Sequence, residues 1–148
     1  SQSRLQRLHE NLDRTGLNAD IIVADARAHR TTGYDVVVLD APCSATGTIR
    51  RHPDLPFAKD GAQFSALFDL QAQLLDHALE RMAAHGRLVY CTCSLLPDEG
   101  EAQIENALQK HPSLRVDHSA LDKDFIAQEW RVAELGLRLR PDFWAEHG

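Results

Sequence analysis

A chain of 148 residues, 43% hydrophobic and 26% charged, is long enough to bury one core and short for two ordinary domains; no apolar run approaches the roughly 18 to 20 residues a membrane helix needs. A formal net charge of −6 excludes wholesale binding to a phosphate backbone, so any contact with nucleic acid must be local. Three cysteines, an odd and sparse set, make no disulfide scaffold, and without a basic and apolar leader the chain reads as a soluble protein of a reducing cytoplasm.

Leu5, Leu8 and Leu12 recur at helical spacing within residues 2 to 14, and Gly16 stops that helix. Ala19 to Val23 is a short apolar run closed by Ala24-Asp25, which predicts a buried strand with an acidic residue at its end. Tyr34 to Leu39, with three successive valines, predicts a strand covered on both faces, because it does not alternate. From Asp40 to Asp60 prolines and a glycine interrupt any period, so this stretch predicts a long functional loop. Residues 62 to 84 carry a helical apolar stripe that Gly86 closes. Leu88 to Cys91 is the next strand, and the acidic run from Pro97 opens a helix, with Ser94 as its cap, that ends before His111-Pro112. Ser113 to Val116 reads as a third parallel strand, residues 117 to 130 as loop with one helical turn, and Leu135 to Leu139 as extended chain. Strand and helix alternate, so the class is α/β with a mainly parallel sheet.

Ligands of such sheets sit beyond the carboxyl ends of the strands, where this reading gathers Asp25, Asp40, Cys43 and Cys93. A zinc site is disfavoured, because Cys91 and Cys93 have one residue between them where zinc pairs usually have two to four. The same spacing is poor for a redox pair. Nucleophilic catalysis by a thiolate beside a carboxylate and a second thiol suits the set better. Cys91, inside its strand, reads as a small buried hydrophobe. Arg50-Arg51-His52, with Lys59 nearby, is either a solvated basic turn or the local contact for nucleic acid.

Asp40-Ala-Pro-Cys-Ser-Ala-Thr-Gly-Thr-Ile-Arg-Arg-His-Pro-Asp54 followed by Tyr90-Cys-Thr-Cys-Ser-Leu-Leu-Pro-Asp-Glu99 resembles the Sun/Fmu family of ribosomal RNA cytosine-C5 methyltransferases. The likeness extends to residues 3 to 12 and 24 to 27 and fades after about residue 112. It implies a Rossmann-like class I methyltransferase domain, S-adenosylmethionine as methyl donor and ribosomal RNA as partner. Cytosine C5 is a weak nucleophile until a thiolate adds to C6, and the resemblance assigns that addition to Cys93 and the release of the enzyme to Cys43. The reverse assignment, with the Pro-Cys thiol as nucleophile, stays open. Asp40 is implied to hold the N3/N4 edge of the base and to lie near the donor. Asp25 is implied to accept from the adenine amino group, with a plain loop cap as its alternative. Arg50, Arg51 and His52 are implied to meet RNA.

Two departures matter. The family's glycine-rich donor loop after its first strand and the acidic residue after its second are not found, so the sheet is expected to lack its first two strands, and its last strand, introduced by Asp-Gly-Phe in the family, is expected to be absent as well. Smaller ones are Ala84-His-Gly86 in place of Pro-Gly-Gly, and Gly100 in place of an Asn. The expectation is a partial catalytic domain over residues 1 to 148, with its motifs between about 20 and 100, that binds S-adenosylmethionine weakly or not at all. The competing expectation is an inactive remnant that self-associates through unpaired strand edges.

Overall fold

The computed structural model describes residues 2 to 58 and 61 to 144. Lys59 lies outside them, as do the last four residues of the chain. Helix α1 (Gln2–Thr15) ends as its sequence requires: Gly16 takes a left-handed φ of 67°, and Leu17 N–H donates back to Leu12 O at 3.0 Å.

The centre is a two-stranded parallel sheet. Strand β1 (Tyr34–Asp40) and strand β2 (Met82–Cys91) pair in parallel with Val36 opposite Arg87, Val38 opposite Val89 and Asp40 opposite Cys91. Parallel neighbours need a long crossover, which here carries a short helix α2 (Leu55–Ala58) and the long helix α3 (Phe64–Arg81). Helix α4 (Glu101–Lys110) follows β2 and packs on α3. Beyond it come the single turn α5 (His118–Leu121) and a small antiparallel pair, β3 (Arg131–Val132) with β4 (Gly136–Leu137). The extended chain expected near Leu135 to Leu139 is therefore real, if short.

The core lies between one face of the sheet and α3. Leu74, Leu75, Ala78, Ala107 and Ala41 are buried, and Ser44, Gln71, Glu99 and Gln103 are buried among them, so this interior is nearly as polar as apolar. Burying Leu75 alone contributes on the order of 2 kcal/mol.

Several expectations are corrected. Residues 19 to 23 form no strand, and Ile22 and Val23 are exposed, because an extended segment becomes a strand only when a neighbour takes its N–H and C=O groups. Residues 113 to 116 fail for the same reason; Leu114 N–H instead closes a turn on His111 O at 2.8 Å. The parallel sheet has two strands among the described residues. β1 is covered on one face only: Val37 and Leu39 turn toward the helices, while Val36 and Val38 are 59% and 66% exposed. Cys91 is not a buried hydrophobe, since it shares that uncovered face with its register partner Asp40. Ser94 is no helix cap either: a 3-10 turn from Pro97 to Glu99 intervenes, and Ser94 Oγ accepts from Leu96 N–H at 3.0 Å.

Gly86 does not end a helix, because α3 has already stopped at Arg81. It lies where the β1–β2 register shifts, and a Cβ there would meet Tyr34 O at 2.7 Å as well as the Met82 side chain. Backbone on one side leaves little room to yield. Gly86→Ala is expected to destabilise the fold by about 1 to 3 kcal/mol, read as a lower urea midpoint at unchanged slope; an unaltered midpoint would show that the register can shift freely.

Candidate active site

Two loops, each leaving the C-terminal end of a parallel strand, build the site. The first carries Cys43 and Ser44 after β1, and the second carries Cys93 and Ser94 after β2. Main-chain bonds continue the sheet ladder into these loops: Ala41 N–H donates to Cys91 O at 2.9 Å, and Gly47 N–H donates to Cys93 O at 2.9 Å. That second bond needs glycine, because a Cβ on residue 47 would stand 2.8 Å from Cys93 O. Before it, Ala45 takes a left-handed φ of 61°, which folds the first loop back over the second.

The result is a pair of sulfurs in contact. Cys43 Sγ and Cys93 Sγ are 3.3 Å apart and both cysteines are free thiols. A disulfide would need about 2.05 Å, so this is a hydrogen-bonded thiol pair. Cys93 is pushed up to about 11, first by desolvation of its sulfur, then by its bond to Cys43 and by the negative charge that Cys43 and Asp40 would place beside it. The resting site therefore holds Cys93 as a thiol and keeps its thiolate scarce at neutral pH.

Behind the sulfurs lies a polar cluster with no direct counterpart in the motif reading. Glu99 has no solvent exposure. Its Oε1 accepts from Ser44 N–H at 2.8 Å and from Gln71 Nε2 at 2.9 Å, and its Oε2 accepts from Ser44 Oγ at 2.5 Å. Burial alone would raise its pKa, but the donors around it bring the carboxyl below the usual range and keep it ionised. Gln71 Nε2 also donates to Pro42 O at 2.8 Å, and Tyr90 OH donates to Glu99 O at 2.9 Å. Glu99 looked like an ordinary acid in a helix's first turn. The one available signal was Gln71, a polar residue in line with Leu67, Leu74 and Ala78 on the buried stripe of α3.

The remaining expected residues separate into two groups. Asp40 ends β1 beside Cys91 and is exposed, near enough to Cys93 to oppose its ionisation. Asp25 is placed differently. It caps the 3-10 turn Ala26–Ala28, and both its oxygens are taken by Arg27: Oδ1 from the main-chain N–H at 2.9 Å and Nε at 3.1 Å, Oδ2 from the guanidinium at 2.7 Å. That fork pulls its carboxyl down to about 2, and Arg27 is in turn tied to Gln73 of α3 at 3.0 Å. Arg50, Arg51 and His52 are exposed in the turn after Thr48, whose carbonyl accepts from the Arg51 and His52 N–H groups, and they enter no ion pair among the described residues.

Comparison with known proteins shows the family of the chain. Residues 1 to 141 match the model of a family described as the 16S rRNA methyltransferase RsmB/F. The chain belongs to the RsmB/F family of methyltransferases. It is 42% identical over 119 residues to the ribosomal RNA small subunit methyltransferase B of Yersinia pseudotuberculosis, covering 78% of this chain and 28% of that relative; the Yersinia pestis protein of the same name matches equally. Among solved structures it is similar to PH0851, with a TM-score of 0.71 and 33% identity over 76% of this chain and 26% of that one. It is also similar to NSun6 from Pyrococcus horikoshii, solved with SFG, with a TM-score of 0.65 and 30% identity over 74% of this chain and 29% of that one. The RsmB/F chain thus spans a little over a quarter of the length of the curated relatives it matches. The α/β class with a parallel sheet agrees with these neighbours. No helix among the described residues is long and apolar enough to cross a membrane.

The thiol pair yields a direct test. Alkylation of Cys93 by iodoacetamide is expected to keep rising toward pH 11, where an ordinary cysteine would level off near 9. Cys43→Ala removes a hydrogen bond that favours the neutral thiol and is expected to speed the reaction at pH 8 by roughly threefold to tenfold. A wild-type profile that levels off near pH 9 would show that the pair does not hold the proton.

Proposed function

We propose that this chain carries the catalytic core of an RNA cytosine-C5 methyltransferase in which Cys93 is the nucleophile. The observation that carries the reading is the 3.3 Å approach of Cys43 and Cys93 beyond the ends of two adjacent parallel strands. One of two touching thiols can add to a base while the other handles the proton that must leave.

The steps follow from where protons can go. As the Cys93 sulfur bonds to cytosine C6, its proton passes to the N3 side of the ring, where Asp40 accepts the N3/N4 hydrogens and stabilises the adduct. C5 is now enamine-like and takes the methyl group. The Cys43 sulfur, having passed its own proton to solvent, takes the C5 hydrogen as a proton; the C6–S bond breaks, its electron pair returns to the Cys93 sulfur, and the proton held at N3 goes back to that thiolate. A scarce resting thiolate is consistent with this scheme, because deprotonation is coupled to the arrival of a base that can receive the proton.

S-adenosylmethionine supplies, when bound, a methyl group on a sulfonium that departs without its electron pair. The residues present fit that group in part. Asp40 is exposed at the strand end, and Asp25 Oδ2 accepts one hydrogen bond from Arg27, which leaves it a lone pair for an adenine amino group. That NSun6 was solved with SFG, an analogue of the donor, supports a donor of this kind. Arg50, Arg51 and His52 would meet the phosphates flanking a flipped cytosine, as a local basic patch on an acidic chain. The names of the Yersinia relatives point to ribosomal RNA as the substrate.

An RNA carrying 5-azacytosine traps thiol addition without need of a methyl donor. A covalent adduct is expected with the wild-type chain, lost in Cys93→Ala and retained or increased in Cys43→Ala. An adduct lost only in Cys43→Ala would reverse the two roles.

A second reading rests on the uncovered valine face of β1 and β2, where Val36, Val38 and Val89 are exposed together. Apolar surface of this kind favours pairing of two copies. Size-exclusion chromatography is expected to show a dimer if that reading holds, and a monomer at high micromolar concentration would remove it.

A further inference from the structure

The function reading uses the two cysteines and Asp40, and it leaves the buried Glu99 without a part. Placing a carboxylate where water cannot reach it is costly unless every lone pair is used. Here the cost is met by groups that belong to the reacting loops. Ser44 follows Cys43 and gives Glu99 both its main-chain N–H and its hydroxyl. Gln71 holds the same carboxylate with one hand and Pro42 O, on the other side of Cys43, with the same amide nitrogen. The first thiol is thus bracketed between two residues that Glu99 anchors.

The second thiol is reached through hydroxyls. An ionised carboxylate only accepts, so the Ser44 hydroxyl must donate to it. Ser44 Oγ and Ser94 Oγ lie 3.1 Å apart, Ser94 itself hydrogen-bonds Glu99, and Ser94 Oγ contacts Thr46 Oγ1 at 3.1 Å and accepts from Leu96 N–H at 3.0 Å. Thr46 Oγ1 accepts from Leu95 N–H at 2.9 Å. Glu99 thus draws hydrogen bonds from Ser44 and from Ser94, one residue beside each cysteine. The chain ends on the main chain beside Ser94, the residue after Cys93.

We propose that Glu99 is the positioning residue of the thiol pair: its charge gathers the Ser44 and Ser94 hydroxyls and so fixes the Cys43 and Cys93 loops at contact distance. This rests on the reading of Cys43 and Cys93 as the reacting pair. Glu99 touches neither sulfur and acts through Ser44 and Ser94. Glu99→Gln keeps its shape but loses the charge and turns one accepting oxygen into a donor, so it cannot accept from Ser44 N–H, Ser44 Oγ, Ser94 and Gln71 together.

The test reads sulfur proximity directly. In a Cys91→Ala background, which removes the third thiol, the chain is equilibrated with oxidised and reduced glutathione; forming the Cys43–Cys93 disulfide converts one oxidised glutathione into two reduced ones, and the linked fraction is measured by mass after alkylation. Glu99→Gln is expected to lower the equilibrium constant by about tenfold or more, since small misplacements of reacting atoms are costly, with the far-ultraviolet circular dichroism unchanged. Ser44→Ala should act in the same direction, and the double variant should fall short of the sum of the two effects. Either folded single variant with the wild-type constant would overturn the proposal; if Glu99→Gln does not fold, Ser44→Ala decides. Failure of the function reading shows elsewhere, as the absence of an azacytosine adduct in the wild-type chain, and leaves the glutathione result to stand on Glu99 alone.

Discussion

The buried carboxylate of Glu99 is the interaction on which the organisation of this chain depends. A fold whose interior holds Gln71, Ser44 and Glu99 beside Leu74 and Leu75 does not gain most of its definition from apolar packing. An apolar core of this size would tolerate sliding, whereas a charge with matched donors allows one arrangement and penalises the rest. Ser44 is held by two bonds, Gln71 spans from Glu99 to Pro42, and Tyr90 fastens the Glu99 carbonyl to β2. The turn that opens toward α4, the long crossover helix and both strand ends therefore meet at one group.

That centre explains how a reactive site is kept stiff without being buried itself. Cys93 is exposed as a residue and Asp40 is open at its strand end, so both face solvent. Their rigidity is borrowed from below, through serines adjacent to each cysteine in sequence. The bond from Gly47 N–H to Cys93 O adds a main-chain tie that no side-chain change elsewhere can replace. Stiffness in one layer and access in the next are thereby assigned to different residues.

The parts of this structure that were legible in the sequence are those with a local cause. Helix α1 announces itself by leucine spacing and a glycine stop, α3 by its long stripe, and β1 by three valines before an acid. The contact of Cys43 with Cys93 could be expected from two thiols placed after two successive strands. What could not be read has a non-local cause. Residues 19 to 23 and 113 to 116 have the composition of strands and no partner to pair with, a fact no window of sequence contains. Asp25 was readable as an acid at a loop, but its capture by Arg27 two residues on depends on the turn between them. Glu99 sits among acids that suit a helix start, and only the approach of Ser44 turns it from a surface charge into a buried one.

Ser44 and Glu99 are 55 residues apart in the chain, and Cys43 and Cys93 are 50 apart. Closing a loop of that size costs an unfolded chain on the order of 3.5 kcal/mol before any contact rewards it. A parallel pair with a helical crossover offers no hairpin from which to begin. The two sulfurs therefore meet only when the chain between them has closed and the segment bearing Glu99 lies beneath the first loop. During synthesis the nascent chain exposes Cys43 before Cys93 exists, so the pair comes into being only with that closure.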